Sequence, residues 1–313
     1  MIDVLCVGHA TYDLTFAVPQ HPAPDEKTVA TDFVGCGGGP AANAAVAVAK
    51  LGGRSAFVGY LGQDIYGDLH LAELKDVGVD TSCVVRGRNP TPLSVIWAKP
   101  DGKRSLVNYQ GTSTNETVEG DGHKTSFKTS KILAHIQPKV ILFDGWEPDI
   151  SLPLAQWAAA QGIPTVLDAG SVHRGTEMLA SKVDYLVASE KFGLGFTGAA
   201  DLTTAVSHLS SYGGTAVITL GARGLIWQNG NGSGTLPAYP VPASDSTGAG
   251  DTFHGAFAYA LAQAMPWPDL LRYASAAALC CTKLGARLGI PTAAEVAELQ
   301  DKVARLQSGK VAA

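Results

Sequence analysis

The sequence lacks both an excess of basic charge and a long apolar run. Its 313 residues carry 23 Lys and Arg against 28 Asp and Glu, a formal net charge of -5. Nucleic acids and anionic membrane surfaces bind basic proteins, so neither is an expected partner. No apolar stretch approaches the roughly 20 residues of a membrane-spanning helix. The first residues are typical of a strand and not of a signal peptide. These absences predict a soluble, cytoplasmic protein.

Cysteine is scarce, and several familiar signatures are missing. The five cysteines are odd in number and contain no C-x-x-C pair, so we expect neither a disulfide framework nor a zinc site. The Walker A sequence, the protein-kinase catalytic loop and H-E-x-x-H are also absent. A phosphate site in this chain would therefore need another kind of loop.

Glycine, by contrast, is plentiful, and its 36 residues suit many tight strand-to-helix turns. Short apolar runs alternate with alanine-rich helical stretches. The predicted strands are DVLCVG, SAFVGYLG, KVILFDG, PTVLDAG, VDYLVAS and TAVITLG. This alternation predicts one α/β domain over residues 1–313, with a mainly parallel sheet and helices on both faces. Ligands of such folds bind beyond the carboxyl ends of the strands.

Two segments break the alternation. Residues 11–34 alternate polar and apolar positions, and residues 91–110 contain Asp101-Gly102, a favoured pair for a tight hairpin turn. We expect the two segments to pair into a small separate sheet over one edge of the domain. The alternative is that they only decorate the surface.

The sequence DSTGAGDTFHGAF, residues 245–257, passes from small residues directly into a helical pattern. Such a turn exposes the first backbone N–H groups of the helix, which have no acceptor inside it and attract an anion. Asp251 would then lie beside the bound anion. The alternative is a capped core helix with a glycine turn before it.

Two further glycine clusters precede this one. In GCGGGPAANAA, residues 35–45, Asn43 lies one turn into a helix, where its amide can bind a sugar hydroxyl. Residues 37–42 also satisfy the dinucleotide fingerprint G-x-G-x-x-A, which keeps an NAD-linked oxidoreductase as an alternative. The strand before it is short and irregular, so a purely structural turn is favoured. The third cluster is VITLGARG, residues 217–224.

Together, GGGPAAN, TLGARG and DSTGAGDTFHGAF resemble, in this order, the ribokinase family, the PfkB carbohydrate kinases. The resemblance covers about residues 3–305. It implies a three-layer ribokinase-like fold, with the segments 11–34 and 91–110 forming a β-sheet lid that also joins a homodimer. The implied activity is ATP-dependent phosphorylation of a hydroxyl of a small sugar.

The resemblance also implies roles for individual residues. Asp251 is the implied general base, and the backbone of Thr247, Gly248, Ala249 and Gly250 is the implied anion hole. The implied ATP-side residues are Thr219, Gly221 and Gly224. The implied sugar contacts are Asp13, Gly38, Gly39 and Asn43, with Lys27 and Asn108 towards the anionic end of a sulfosugar.

The chain departs from the family pattern where Mg²⁺ is organised. Ser189 and Phe192 stand where the Asn and Glu of an N-x-x-E motif are expected, which leaves Glu190 as a substitute or as a plain surface charge. The resemblance also implies a K⁺ site at Asp245, Thr247 and Gly285.

The substrate is less well defined than the reaction. The chain looks most like fructokinases and sulfofructose kinases, which predicts a ketohexose or a derivative. An Arg expected near LFDGWEPD is replaced by Gly145, which argues against a sulfosugar. A ribose or nucleoside kinase is the alternative within the family. A non-catalytic sugar-binding relative is disfavoured by the intact Asp251.

Overall fold

The computed structural model describes residues 1–101, 103–110 and 129–307, so Gly102 of the predicted hairpin turn lies outside the described residues. In chain order the strands are β1 (Ile2–Val7), β2 (Thr11–Ala17), β3 (Asp32–Gly38), β4 (Ser55–Val58), β5 (Tyr60–Gly62), β6 (Val85–Gly87), β7 (Leu93–Ala98), β8 (Arg104–Tyr109), β9 (Pro138–Phe143), β10 (Thr165–Ala169), β11 (Tyr185–Ser189), β12 (Thr215–Thr219), β13 (Leu225–Asn229) and β14 (Gly232–Leu236). The helices are α1 (Pro40–Lys50), α2 (Ile65–Asp76), α3 (Thr129–His135), α4 (Pro148–Gln161), α5 (Arg174–Leu179), α6 (Glu190–Thr197), α7 (Leu202–Gly213), α8 (Ala249–Ala262), α9 (Trp267–Ser275), α10 (Ala286–Gly289) and α11 (Ala293–Gln307).

Eight strands form the central sheet, in the order β14-β13-β12-β11-β10-β9-β1-β4. The pairings from β4 to β12 are parallel, and β13 and β14 continue the sheet as antiparallel edge strands. Successive residues of a strand point to opposite faces. Val4 and Cys6 accordingly join one core, and Leu5 and Val7 the other. Helices cover both cores, so the predicted three-layer α/β class is confirmed.

The two segments that break the alternation form a separate four-stranded sheet, in the order β3-β2-β7-β8. Strand β2 pairs antiparallel with β3 and parallel with β7, and β7 and β8 form the predicted hairpin. Strand β3 runs to Gly38, four residues past the predicted end of its segment. We call this unit the small sheet.

The run SAFVGYLG is not one strand, as the sequence predicts, but two. Strand β4 belongs to the central sheet, whereas β5 pairs with β6 in a two-stranded sheet. The break falls at Gly59, where a Cβ atom would lie 2.4 Å from the Gly8 carbonyl oxygen. Only glycine allows the chain to turn away so close to β1.

The helices α1 and α8 pack side by side on one face of the central sheet. Their contact is close because a Cβ atom at Gly255 would lie 2.6 Å from the carbonyl oxygen of Ala44. Both helices begin after a glycine with positive φ, 92° at Gly39 and 76° at Gly248. Across residues 1–101, 103–110 and 129–307, no helix is long and apolar enough to cross a membrane.

Candidate active site

The start of α8 has the form predicted from the glycine turn. A Cβ atom at Gly248 would lie 2.6 Å from the Cβ of Ala286, so both space and backbone conformation require glycine there. A Cβ atom added at Gly250 would meet nothing within 4 Å, so the space beside this residue is open. Because the first N–H groups of a helix lack intrahelical acceptors, this open turn can bind an anion.

Asp251 lies in this first turn, and its carboxylate touches α1. The Nδ2 of Asn43 donates a 2.8 Å hydrogen bond to Oδ2 of Asp251. Oδ1 of Asn43 accepts from Nη2 of Arg287 at 3.2 Å. The two bonds fix the orientation of the Asn43 amide, because only this orientation lets its NH₂ meet the carboxylate.

Arg287 is a site residue that the sequence analysis missed. Its side chain is 4% exposed, although arginine is rarely buried without partners. Besides Asn43, its guanidinium contacts Glu73 Oε2 at 3.2 Å and His70 Nε2 at 3.0 Å. The only signal in the sequence is one charged residue inside LGARLGIP, and nothing there identifies partners more than 200 residues away.

Asp13 lies on β2 with its carboxylate buried. Oδ1 accepts a 2.7 Å hydrogen bond from the Thr11 hydroxyl. A Cβ atom at Gly38 would lie 2.2 Å from Oδ2 of Asp13, so this carboxylate and that glycine occupy adjoining space. Burial raises the pKa of Asp13 to about 6, the Thr11 hydrogen bond and the Arg287 charge lower it, and the Asp251 charge raises it.

Asn108 and Lys27, the residues predicted to face an anionic group, differ in position. Ser94 is the register partner of both Asp13 and Asn108, so the three side chains form a row on one face of the small sheet. Asn108 is exposed at the open end of this row. Lys27 is exposed in the loop between β2 and β3.

The third glycine cluster forms the turn between β12 and β13. Thr219 ends β12 and its hydroxyl donates to the Ala188 carbonyl. Gly221 starts a single 3₁₀ turn, and Gly224 has a φ of 91°, with its Cβ position 2.0 Å from the Leu236 carbonyl oxygen. The cluster is therefore a tight hairpin turn at the carboxyl end of β12, where an ATP-side loop is expected.

The residues in place of N-x-x-E serve local structure. Ser189 caps α6, accepting from the Phe192 N–H at 3.0 Å, and its hydroxyl donates to the Gly170 carbonyl. Phe192 is fully buried. Glu190 forms an ion pair with Arg223 of the β12–β13 turn, and both side chains are exposed. A role of Glu190 towards Mg²⁺ remains a prediction.

The three residues of the predicted K⁺ site do lie together. Oδ1 of Asp245 accepts from the N–H and the hydroxyl of Thr247, and Oδ2 accepts from the Gly285 N–H at 2.9 Å. The carboxylate thus ties the loop before α8 to the loop before α10. Both oxygens already accept N–H or O–H donors, and a cation role for this loop remains a prediction.

A second buried carboxylate, Asp144, holds the start of α1. It accepts three backbone N–H bonds, from His9 at 2.7 Å, Ala41 at 3.1 Å and Trp146 at 3.0 Å. Burial nevertheless raises its pKa to about 7. The ring of Trp146 lies between those of His9 and His173, at centroid distances of 5.4 and 4.3 Å. The sequence analysis missed this group.

The dinucleotide fingerprint at residues 37–42 has the wrong surroundings for NAD. The strand before it, β3, belongs to the small sheet and pairs only antiparallel with β2. A nicotinamide-binding turn follows the first strand of a parallel β-α-β unit. The structural interpretation of this turn, which the sequence favoured, agrees with the fold.

Comparison with known proteins agrees with this geometry. The sequence matches the model of the pfkB family carbohydrate kinases over residues 1–293. It is 28% identical to a ribokinase of Bacillus subtilis, covering 96% of this chain and 99% of that one, and 29% identical to a probable fructokinase-5 of Arabidopsis thaliana, covering 86% and 89%. The structure of Arabidopsis thaliana ribokinase complexed with ribose and ATP superposes with a TM-score of 0.81 at 26% identity, covering 95% and 98%.

The chain therefore belongs to the pfkB family of carbohydrate kinases. The resemblance noted in the sequence is confirmed, and the chain is an enzyme of the carbohydrate kinase class. Ribokinases and fructokinases are similarly close to it, so the sugar is not fixed by similarity.

The raised pKa of Asp13 predicts a pH-dependent stability effect. The folded chain holds this proton more tightly than the unfolded chain, so stability falls as the pH rises from the ordinary pKa of 3.8 to about 6, and the full cost of the ionised carboxylate is present above that. Asp13→Asn should raise the free energy of unfolding by about 1–3 kcal/mol at pH 8 and change it little at pH 4. Urea denaturation at both pH values measures this.

The control for this prediction is Asp301→Asn, at an exposed carboxylate on α11. It should change stability little at either pH. A loss of stability at pH 8 in Asp13→Asn, or an equal effect at both pH values, would contradict the assignment of a strained buried charge to Asp13.

Proposed function

We propose that this enzyme transfers the γ-phosphoryl group of ATP to a hydroxyl of a small sugar, with Asp251 as the general base. The observation that carries the proposal is the first turn of α8, where the space beside Gly250 is open and the next residue, Asp251, has its carboxylate oriented by Asn43. Phosphoryl transfer needs stabilised charge and an aligned hydroxyl, with little covalent chemistry by the protein.

Each element of the turn has a part in this reaction. Asp251 takes the proton of the attacking hydroxyl while the Asn43 amide holds its other oxygen. The N–H groups that follow Gly248 stabilise the charge on the transferring phosphoryl group. Thr247 and the β12–β13 turn, with Thr219, Gly221 and Gly224, would hold the nucleotide. The Arabidopsis ribokinase complexed with ATP supports that nucleotide as the donor.

Two ions would assist the bound nucleotide. Mg²⁺ supplies charge neutralisation on the phosphates when bound, and Glu190 is the nearest substitute for the missing N-x-x-E carboxylate. The ion pair between Glu190 and Arg223 is exposed, and exposed pairs contribute little to stability. Glu190 would therefore lose little by leaving Arg223 to bind Mg²⁺. K⁺ would lie between the two loops that the Asp245 carboxylate joins, one containing Thr247 and the other Gly285.

The proposal predicts the effect of removing the base. Asp251→Asn keeps the size of the side chain but cannot accept the hydroxyl proton, so kcat should fall on the order of 10²–10⁴-fold. ATP affinity, measured by calorimetry, should remain within a few-fold of wild type. Asp301→Asn is the control and should retain full turnover. Near-normal turnover of Asp251→Asn would contradict the proposed mechanism.

For the substrate, we propose a ketohexose such as fructose, bound between α1 and the small sheet. The row of Asp13, Ser94 and Asn108 offers a carboxylate, a hydroxyl and an amide, which suit sugar hydroxyls. Ribose is supported about equally well, by the Bacillus and Arabidopsis ribokinases. A sulfonated ketohexose would need a cation near its far end, and Lys27 is the candidate.

A sugar panel tests the substrate assignment. We expect kcat/KM for fructose to exceed that for ribose and for adenosine by at least about tenfold, the effect of one well-placed polar contact of about 1.4 kcal/mol. Lys27→Ala should leave the fructose value unchanged and lower only that for sulfofructose, and Lys75→Ala on α2 is the control. A preference for ribose or adenosine would contradict the ketohexose assignment and would leave the proposed kinase mechanism unaffected.

We also propose that the small sheet joins two copies of the chain. Its face opposite to Asp13 is apolar, because Leu14, Val95 and Val107 are register partners in one row. Phe16 and Phe33 pair beside them, with ring centroids 4.9 Å apart. Phe33 is 52% and Val107 59% exposed in the single chain. An apolar surface of this kind is typical of a protein–protein contact, most simply with a two-fold related copy.

The double variant Phe33→Glu with Val107→Glu tests this contact. Sedimentation velocity should give wild-type protein at twice the chain mass of 32.4 kDa and the variant at the chain mass. Burying two carboxylates in an apolar interface without partners is strongly unfavourable. Leu306→Glu, at a 58% exposed position on α11, is the matched control and should remain dimeric. Monomeric wild type would contradict the proposal.

A further inference from the structure

His254 is a buried histidine whose two ring nitrogens both face oxygen acceptors. It lies on α8 three residues after Asp251, and its side chain is 3% exposed. Nδ1 is 2.6 Å from the Gly250 carbonyl oxygen and 3.3 Å from Oδ2 of Asp168. Nε2 is 3.0 Å from the Val187 carbonyl oxygen.

This set of partners favours a ring with a proton on both nitrogens. A neutral imidazole has one N–H donor, and its other nitrogen carries a lone pair. Carbonyl and carboxylate oxygens only accept, so in either neutral tautomer one ring nitrogen would face an oxygen without a proton between them. An unmet contact of this kind in a buried site is costly. The imidazolium ion satisfies both nitrogens, and the Asp168 carboxylate balances its charge.

The surroundings of the Asp168 carboxylate favour a cation beside it. It is 6% exposed at the carboxyl end of β10. Burial raises the pKa of its carboxyl, the His254 charge opposes that rise, and the nearby Asp251 charge adds to it. Without the imidazolium, a second carboxylate would lie unbalanced beside Asp251 and the phosphate-facing turn.

We propose that His254, held as an imidazolium by Asp168, is a positioning residue that fixes the first turn of α8. Its Nδ1 bond to the Gly250 carbonyl braces the peptide immediately before Asp251. The bond from Nε2 to Val187 ties this turn to β11, in the middle of the central sheet. The phosphate-facing N–H groups and the Asp251 carboxylate are thereby held against the sheet.

The protonation state is tested directly by NMR of the full-length protein labelled with ¹⁵N-histidine. We expect two ring N–H correlations for His254, both in the imidazolium range, at pH 7.5. His254→Gln identifies the signals by their loss. A single ring N–H with an unprotonated second nitrogen would overturn the inference. This measurement needs neither ATP nor sugar.

The positioning role is tested by kinetics and rests on the proposed phosphoryl transfer. His254→Gln should lower kcat about 10- to 30-fold, because the turn that positions Asp251 loses two buried hydrogen bonds, and change the sugar KM less than threefold. Adding Asp168→Asn removes the unbalanced carboxylate. The double variant should recover to within about fivefold of wild type.

Phe257→Leu is the matched control, because Phe257 is fully buried on the same helix, one turn further from its start. Urea denaturation compares its loss of stability with that of His254→Gln. We expect Phe257→Leu to retain the wild-type kcat. Equal losses of kcat in both variants, or no recovery in the double variant, would show that His254 contributes only to packing. If wild type phosphorylates no sugar, the proposed function fails, and the NMR result still decides whether the ion pair exists.

Discussion

The structure of the site depends on one contact, the hydrogen bond between Asn43 on α1 and Asp251 on α8. It can form only if both helices begin at the same point beyond the carboxyl ends of the strands. Glycines with positive φ before each helix, at 39 and 248, direct the chain to that point. Gly255 then lets the two helices approach closely enough for their first turns to meet. A side chain at any of these glycines would separate the Asp251 carboxylate from the amide that orients it.

A second constraint is the concentration of negative charge at this end of the molecule, where the phosphates of a nucleotide would add more. The fold neutralises each carboxylate differently. Asp144 receives three backbone N–H groups, Asp168 faces His254, and Asp13 has hydroxyl donors and lies near Arg287. The remaining cost appears as raised pKa values, about 7 for Asp144 and about 6 for Asp13. Such shifts are typical of sites arranged for chemistry and not for stability.

Much of this could be predicted from the sequence, because it depends on local pattern. The alternation of strands and helices predicts the central sheet, and the glycine turn before Asp251 predicts the open helix start. What sequence alone did not reveal are pairings across the chain. Arg287 meets Asn43 from 244 residues away, and Gly59 divides a strand because of Gly8, which lies far from it in sequence. Periodicity describes one segment at a time and does not specify which segments meet.

The division of the molecule into two sheets bears on how one family serves several sugars. The turns proposed to face phosphate adjoin the central sheet, where parallel strands buried on both faces leave little freedom. Asp13, Ser94 and Asn108 lie on the small sheet, which meets α1 through Gly38. If that row binds the sugar as proposed, substitutions along it would change the hydroxyls that can be bound without moving the start of α8. On this proposal, relatives named ribokinase and fructokinase at 28% and 29% identity would be expected to differ along that row and to share the start of α8.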